Sequence, residues 1–176
     1  MKSLYYYNEL VKRIDAFTSD IIAVYGTLLQ CKEGCSGCCI LESVFPVEMV
    51  AILHWYSNQS PSVREAITNT KDNEYCIFLH EHTCRIYPYR PIICRTHGCP
   101  IMVDTTIDVC PCNNGISFAA NHILNVEHCN SMLAGINLLF IKEVNIPLLQ
   151  KERIDLRTFF QSSESDILSI VHSLKR

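Results

Sequence analysis

Nine consecutive residues, CKEGCSGCC at 31–39, hold the cysteines Cys31, Cys35, Cys38 and Cys39, with Gly34 and Gly37 between them. Cys76, Cys84, Cys94 and Cys99 follow, interleaved with Pro88, Pro91 and Gly98. Thiolates grouped this densely, in segments able to turn sharply, are suited to hold a metal ion or an iron-sulfur cluster. Cys31, Cys35 and Cys38 also match one face of a helix, where cysteine packs as a small apolar residue, but two glycines and an adjacent Cys39 argue against that reading. Neighbouring side chains point apart in helix and strand, so Cys38 and Cys39 do not easily serve one small ion. One of the pair is left for a second metal or for packing, which hints at a centre larger than one ion.

The chain has 176 residues, 48% of them hydrophobic, enough for a core that needs no disulfides to rescue it. Its eleven cysteines are an odd number, and Glu9, Arg13 and Asp15 interrupt the apolar stretch that a secretory signal requires. The expectation is a cytoplasmic protein, in which a disulfide scaffold is disfavoured and metal ligation inherits its weight. The apolar stretch from Met132 to Ile141 ends at Lys142 and Glu143, too short for a bilayer, so no membrane association is expected. A net charge of -3 with scattered basic residues excludes the usual basic face for nucleic acid and leaves another protein as the expected partner. Oligomeric state is not legible.

Apolar residues at helical spacing predict a long first helix over 4–30, with Leu4, Leu10, Val11, Ile14, Phe17, Ile21, Val24, Tyr25 and Leu28 facing the core. Pro46 predicts the start of a second helix running to Ser57, followed by a short one from Ser62 to Asn69. Lys71–Glu74 reads as a polar loop. YCIFL and TCRIY, separated by His80–His82, read as a small hairpin. The prolines of PYRPIICRTHGCP predict a rigid, irregular loop, Ile101–Asp108 a short strand, and CPCNNG at 110–115 a turn. Beyond it, 116–125, 126–144, 146–160 and 165–174 read as mainly helical. The fold class expected is therefore mainly α: a small helical domain with an irregular cysteine-rich metal-binding region and a short β-hairpin, organised as one domain over 1–176.

Eight thiolates suit one cluster with spare cysteines, or two four-coordinate sites. Either centre carries net negative charge, which Arg85, Arg90 and Arg95 are placed to offset. Cys110 and Cys112 could extend the set, Cys129 reads as buried in a helix, and His97 as a neighbour of the ligands. His80 and His82 read as loop residues, and Glu42 and Glu48 as helix-start charges. There is no glycine-rich phosphate cradle, G-x-S-x-G elbow or H-E-x-x-H segment to start a nucleotide-binding or hydrolase reading.

Cys31, Cys35, Cys38 and Cys39, then Cys76, Phe78 and Leu79, then Cys84, Ile86, Tyr87, Arg90, Pro91, Cys94, Arg95 and Cys99 together resemble the YkgJ-type cysteine-cluster family of zinc- or iron-chelating domains. The resemblance covers a motif region of 31–100 and leaves 101–176 as a helical extension. It implies that Cys31, Cys35, Cys38, Cys39, Cys76, Cys84, Cys94 and Cys99 are metal ligands for an iron-sulfur cluster or Zn2+. It implies no settled reaction, although a flagellin lysine methylase looks like a member of the same group.

Two functions from different classes follow. In one, a bound iron-sulfur or zinc centre acts chemically, in electron transfer or modification of another protein. In the other, a structural zinc module stabilises an interaction surface without catalysis. The C-x3-C-x2-C spacing also matches radical S-adenosylmethionine enzymes, but their large α/β barrel is not predicted here.

Overall fold

The computed structural model describes residues 1–31, 34–70 and 74–174. In chain order it contains α1 (Lys2–Tyr25), β1 (Ser43–Val44), α2 (Pro46–Ser57), α3 (Pro61–Thr68), β2 (Leu79–His80), β3 (Thr83–Cys84) and α4 (Ile92–Thr96). There follow β4 (Ile101–Val103), β5 (Thr106–Asp108), β6 (Leu124–Asn125), α5 (Val126–Glu143), β7 (Ile154–Asp155), α6 (Leu156–Phe160) and α7 (Glu164–Leu174). The fold is mainly α, as predicted, and the described strands form sheets of two or three, nothing resembling a barrel.

α2 is apolar around nearly its whole circumference, and a helix of that kind is stable only when covered on all sides. α1, α5 and α7 pack around it, leaving Val47, Met49, Ile52, Leu53 and Tyr56 with no exposed surface. Its start is satisfied from two directions: Glu48 Oε2 accepts from Phe45 N–H at 3.0 Å, and Asn137 Oδ1 on α5 accepts from Val47 N–H at 3.1 Å. α5 begins at Asn125, whose side chain accepts from His128 N–H at 2.9 Å.

The hairpin falls where the sequence places it, with Leu79 opposite Cys84 and His80 opposite Thr83. Its two turn residues, Glu81 and His82, have φ of 45° and 62°, the geometry that matches strand twist in a two-residue turn, here without glycine.

Five expectations require correction. The first helix ends at Tyr25 rather than 30, and Val24 and Leu28 are 58% and 55% exposed instead of facing the core. The proline-rich loop contains a 3-10 turn at Tyr87–Tyr89 and a short helix, α4, because Pro91 stands at the cap, where a helix needs no N–H. Residues 116–125 hold only a 3-10 turn at Ala120–His122 before Leu124 and Asn125 pair in parallel with Ile101 and Met102. Within 146–160, the helical reading gives way to a 3-10 turn at Pro147–Leu149 and to Ile154 and Asp155, which pair with Val44 and Ser43; only α6 is helical. The predicted strand over 101–108 is a hairpin of β4 and β5. The polar loop expected at Lys71–Glu74 lies outside the described residues apart from Glu74.

Candidate metal centre

Three buried groups carry the downstream cysteines to one place. Phe78 has no exposed surface and meets Trp55 and Phe160 edge-on, with ring centroids 5.9 and 5.4 Å away. It pins the β2–β3 hairpin, and with it Cys76 and Cys84, to the core; Ile86, 1% exposed, holds the far side. Glu48 ties the starts of α2 and α4 together, its Oε1 accepting from Ile92 N–H at 2.9 Å while Oε2 serves Phe45. Burial pushes this carboxyl above its ordinary pKa, and the two backbone N–H groups oppose the rise. α4 carries Cys94.

Arg95 fixes the same bend to α1. Its Nη1 donates to both carboxylate oxygens of Asp15 at 2.8 Å, and its Nε and Nη2 donate to the carbonyls of Arg90 and Pro88 at 2.7 Å. The upstream string joins the hairpin through Cys76 N–H, which donates to the Cys39 carbonyl at 2.7 Å. Beyond the string, Leu156 N–H donates to the Glu42 carbonyl at 2.8 Å, so the turn is held at both ends.

The result is a cavity of about 420 Å3 lined by Cys31, Cys35, Cys38, Cys39, Cys76, Cys84 and Cys94. Of the eight cysteines singled out from sequence, Cys99 alone does not line it; it is 8% exposed, and burial raises its thiol pKa to about 11. Leu41, Leu79 and Ile86 give the cavity apolar walls, and His82, Tyr87, Arg90 and His97 complete it. His82, read from sequence as a loop residue, thus faces the thiols, with its Nδ1 2.9 Å from Ser36 Oγ.

The thiols stand close enough to act on one another. Burial, then the charges of Cys84 and Cys39, raise Cys76 to about 11, although a backbone hydrogen bond to Phe78 opposes them. Burial, then Cys76, Cys84 and Cys39, raise Cys94 further still. Cys39, Cys76, Cys84 and Cys94 therefore sense one another across the inner part of the cavity. At its rim, burial and a side-chain interaction with Cys110 raise Cys31. Cys112 is raised by Cys110 first and by Cys35 as well. Cys38 is raised by burial, then by Cys39, Cys110 and Cys35. The adjacent pair Cys38 and Cys39 interact with each other, and Cys39 responds to Cys35 as well as to Cys84.

Asn113 was not visible as a site residue in the sequence. It is 1% exposed, and its Oδ1 accepts from Gln30 N–H at 2.8 Å while its Nδ2 donates to the Gly98 carbonyl at 3.0 Å and approaches Cys31 Sγ at 3.5 Å. Gly98 packs so tightly that a Cβ there would lie 2.7 Å from Cys31 Cβ, at a φ of +88°. Three segments, ending at 31, 98 and 113, are locked at that point. A polar residue next to a CPC pair was the available signal.

Of the three arginines near the cysteines, Arg90 faces the thiols. It lies over the Tyr87 ring at 3.6 Å, donates to the Cys94 carbonyl at 3.3 Å, and its charge lowers the pKa values of Cys39, Cys84, Cys94 and Cys99 against the effect of burial. Arg95 is committed to Asp15, and Arg85 contributes its backbone N–H to the Phe78 carbonyl.

The donor set is all sulfur with a cation beside it, the chemistry of zinc and of iron-sulfur centres. All eleven cysteines are free thiols, and among the described residues no three potential donors stand at ligand spacing, so enclosing an ion takes deprotonation and side-chain rotation. The glycine-flanked string and the hairpin end leave room for it.

The model of the CxxCxxCC family, described as "Putative zinc- or iron-chelating domain", matches residues 30–112. The match extends past residue 100 to take in Cys110 and Cys112. The chain departs from the spacing in the family's name by one residue, with three residues between Cys31 and Cys35. No curated protein and no solved structure matches the chain.

Proposed function

We propose that the protein holds an iron-sulfur cluster on Cys39, Cys76, Cys84 and Cys94 and uses it in electron transfer with another protein, a reading supported by the match of residues 30–112 to the CxxCxxCC family model. The observation that carries this reading is the shared cavity of about 420 Å3 into which these thiols face. Four sulfurs closed on a single zinc stand only about 3.8 Å apart, from a bond of roughly 2.3 Å, and leave no such space. A polynuclear core fills more of it. The cluster supplies one-electron chemistry when bound.

The chain's own residues set the conditions around it. Arg90 offsets thiolate charge, and Leu41, Leu79 and Ile86 limit water on one side. Tyr87, 57% exposed, and His82 and His97 line the open side, where a redox partner would approach.

Anaerobic purification followed by iron and acid-labile sulfide analysis tests the reading. Iron and sulfide in comparable amounts, with visible absorption that bleaches under dithionite, support it. A colourless, iron-free protein with stoichiometric zinc, unfolding on chelation, defeats it in favour of a structural zinc module.

A further inference from the structure

We propose that a second cavity of about 460 Å3, adjoining the thiol cavity, binds a small organic acid with a short apolar body, its carboxylate held by Arg153. Cys38, Leu41 and His97 line both cavities, so the two share a wall. The second lies where the end of the cysteine string, the start of α2, α4 and α5 converge, and its volume is that of a small-molecule site. Its apolar side is built from Phe45, Ile93 and Leu133, with Ile40 beside them. Leu133 is 3% exposed, but Ile40 and Ile93 keep 62% and 37% of their surface open. Two isoleucines left open on one concave surface gain by being covered, and an apolar ligand body covers both.

Arg153 supplies the charge, and it is fixed before any ligand arrives. Its Nε donates to Ser43 Oγ at 2.9 Å, its Nη2 donates to the Ser43 carbonyl at 2.8 Å, and its guanidinium lies over the Phe45 ring at 4.6 Å. Those bonds use the Nε–Nη2 edge of the fork. Nη1 and the second Nη2 N–H have no hydrogen-bond partner among the described residues, and no described carboxylate forms an ion pair with this arginine. A ligand carboxylate accepts two parallel bonds from that free edge while its apolar body lies against Phe45 and Ile93. Because the guanidinium is already oriented, little side-chain freedom is lost on pairing. Glu48 also lines the cavity, but it is 2% exposed and the Phe45 and Ile92 N–H groups occupy both its oxygens, so it has no oxygen left for a ligand cation. Glu42 stands exposed at the same cavity, and the exposed Asn130 on α5 adds an amide donor.

The site does not depend on whether the adjoining centre holds iron-sulfur or zinc, and iron and sulfide analysis of the same sample keeps the two questions apart. Isothermal titration of full-length, metal-replete protein with 3-phenylpropionate under anaerobic conditions tests it, with 3-phenylpropanamide as the neutral isostere. Wild type is expected to prefer the acid by about tenfold or more, the worth of hydrogen bonds to a charged group. Arg153→Gln is expected to bind acid and amide alike, and Ile93→Gln to weaken both. Should far-UV circular dichroism show Arg153→Gln unfolded, methyl NMR of wild type decides, with shifts expected at Ile40, Ile93 and Leu133 on adding the acid. No binding of either compound, equal affinity for the two in wild type, an acid preference that survives Arg153→Gln, or methyl shifts confined to other residues overturns the proposal. An acid that bound at the metal instead would keep its preference in Arg153→Gln.

Discussion

Replacing Asn113 with alanine removes a side chain that holds three segments together, and the cost can be worked from its bonds. The amide makes two short hydrogen bonds to backbone, at 2.8 Å from Gln30 N–H and 3.0 Å to the Gly98 carbonyl. At about 1 kcal/mol net for each, Asn113→Ala destabilises the fold by about 2 kcal/mol, since water reaches only part of what is left unpaired. For a chain of 150–250 residues that lowers Tm by about 4–8 °C. Asn113→Asp is the informative control. It keeps an acceptor for Gln30 but turns an oxygen toward the Gly98 carbonyl and Cys31 Sγ, so it should be at least as destabilised at pH 7. Urea unfolding of reduced protein in chelator isolates the effect from metal binding. A loss for Asn113→Ala within about 0.5 kcal/mol of zero, the range of an ordinary surface change, would refute the reasoning, as would a wild-type-like Asn113→Asp.

Gly98→Ala places a Cβ 2.7 Å from Cys31 Cβ at a positive φ, and should cost at least about 2 kcal/mol by chemical denaturation. Arg90→Gln removes the cation beside Cys39, Cys84 and Cys94 and should weaken inner metal affinity by about 10–100-fold in chelator competition, with far-UV circular dichroism unchanged. Asp155→Ala removes the cap of α6, whose Oδ1 accepts from Thr158 N–H at 2.6 Å, at a cost of about 1 kcal/mol near neutral pH. The Thr158 hydrogen bonds hold the Asp155 pKa below its ordinary 3.8, so the cap contributes fully above that value and its contribution is lost as pH falls through the folded pKa. The stability gap between wild type and Asp155→Ala should therefore narrow below about pH 4, as read from urea midpoints across pH.

Local signals carried much of the fold. Pro46 and the apolar run after it marked α2, whose observed bounds are Pro46–Ser57, and the helical reading of 126–144 matched α5 at Val126–Glu143. What failed was decided by distant partners. Leu124 and Ile154 sit in strands of two residues whose only reason to be extended is a pairing with Ile101 or Val44, and periodicity within a window cannot report that. Prolines misled in 88–100 because Pro91 serves as a cap instead of a breaker.

The site was more legible than its organisation. Thiol density and the C-x-F-L block located seven cysteines of one cavity, and Phe78 in that block is the anchor that positions two of them. Spacing could not show that Cys99 stays out of the cavity lining or that Cys110 interacts with Cys31. Those facts depend on how loops close on Asn113 and Glu48, and a buried polar side chain has no signature in a single sequence.

The central claim, that the thiols around this cavity hold metal, is tested most directly by residue-resolved alkylation of metal-replete protein under anaerobic conditions. Peptide mapping after a timed iodoacetamide pulse should show Cys39, Cys76, Cys84 and Cys94 protected until metal is removed, and the exposed Cys35 and Cys112 modified sooner. Uniform modification of all eleven cysteines, at rates that chelation leaves unchanged, would contradict it.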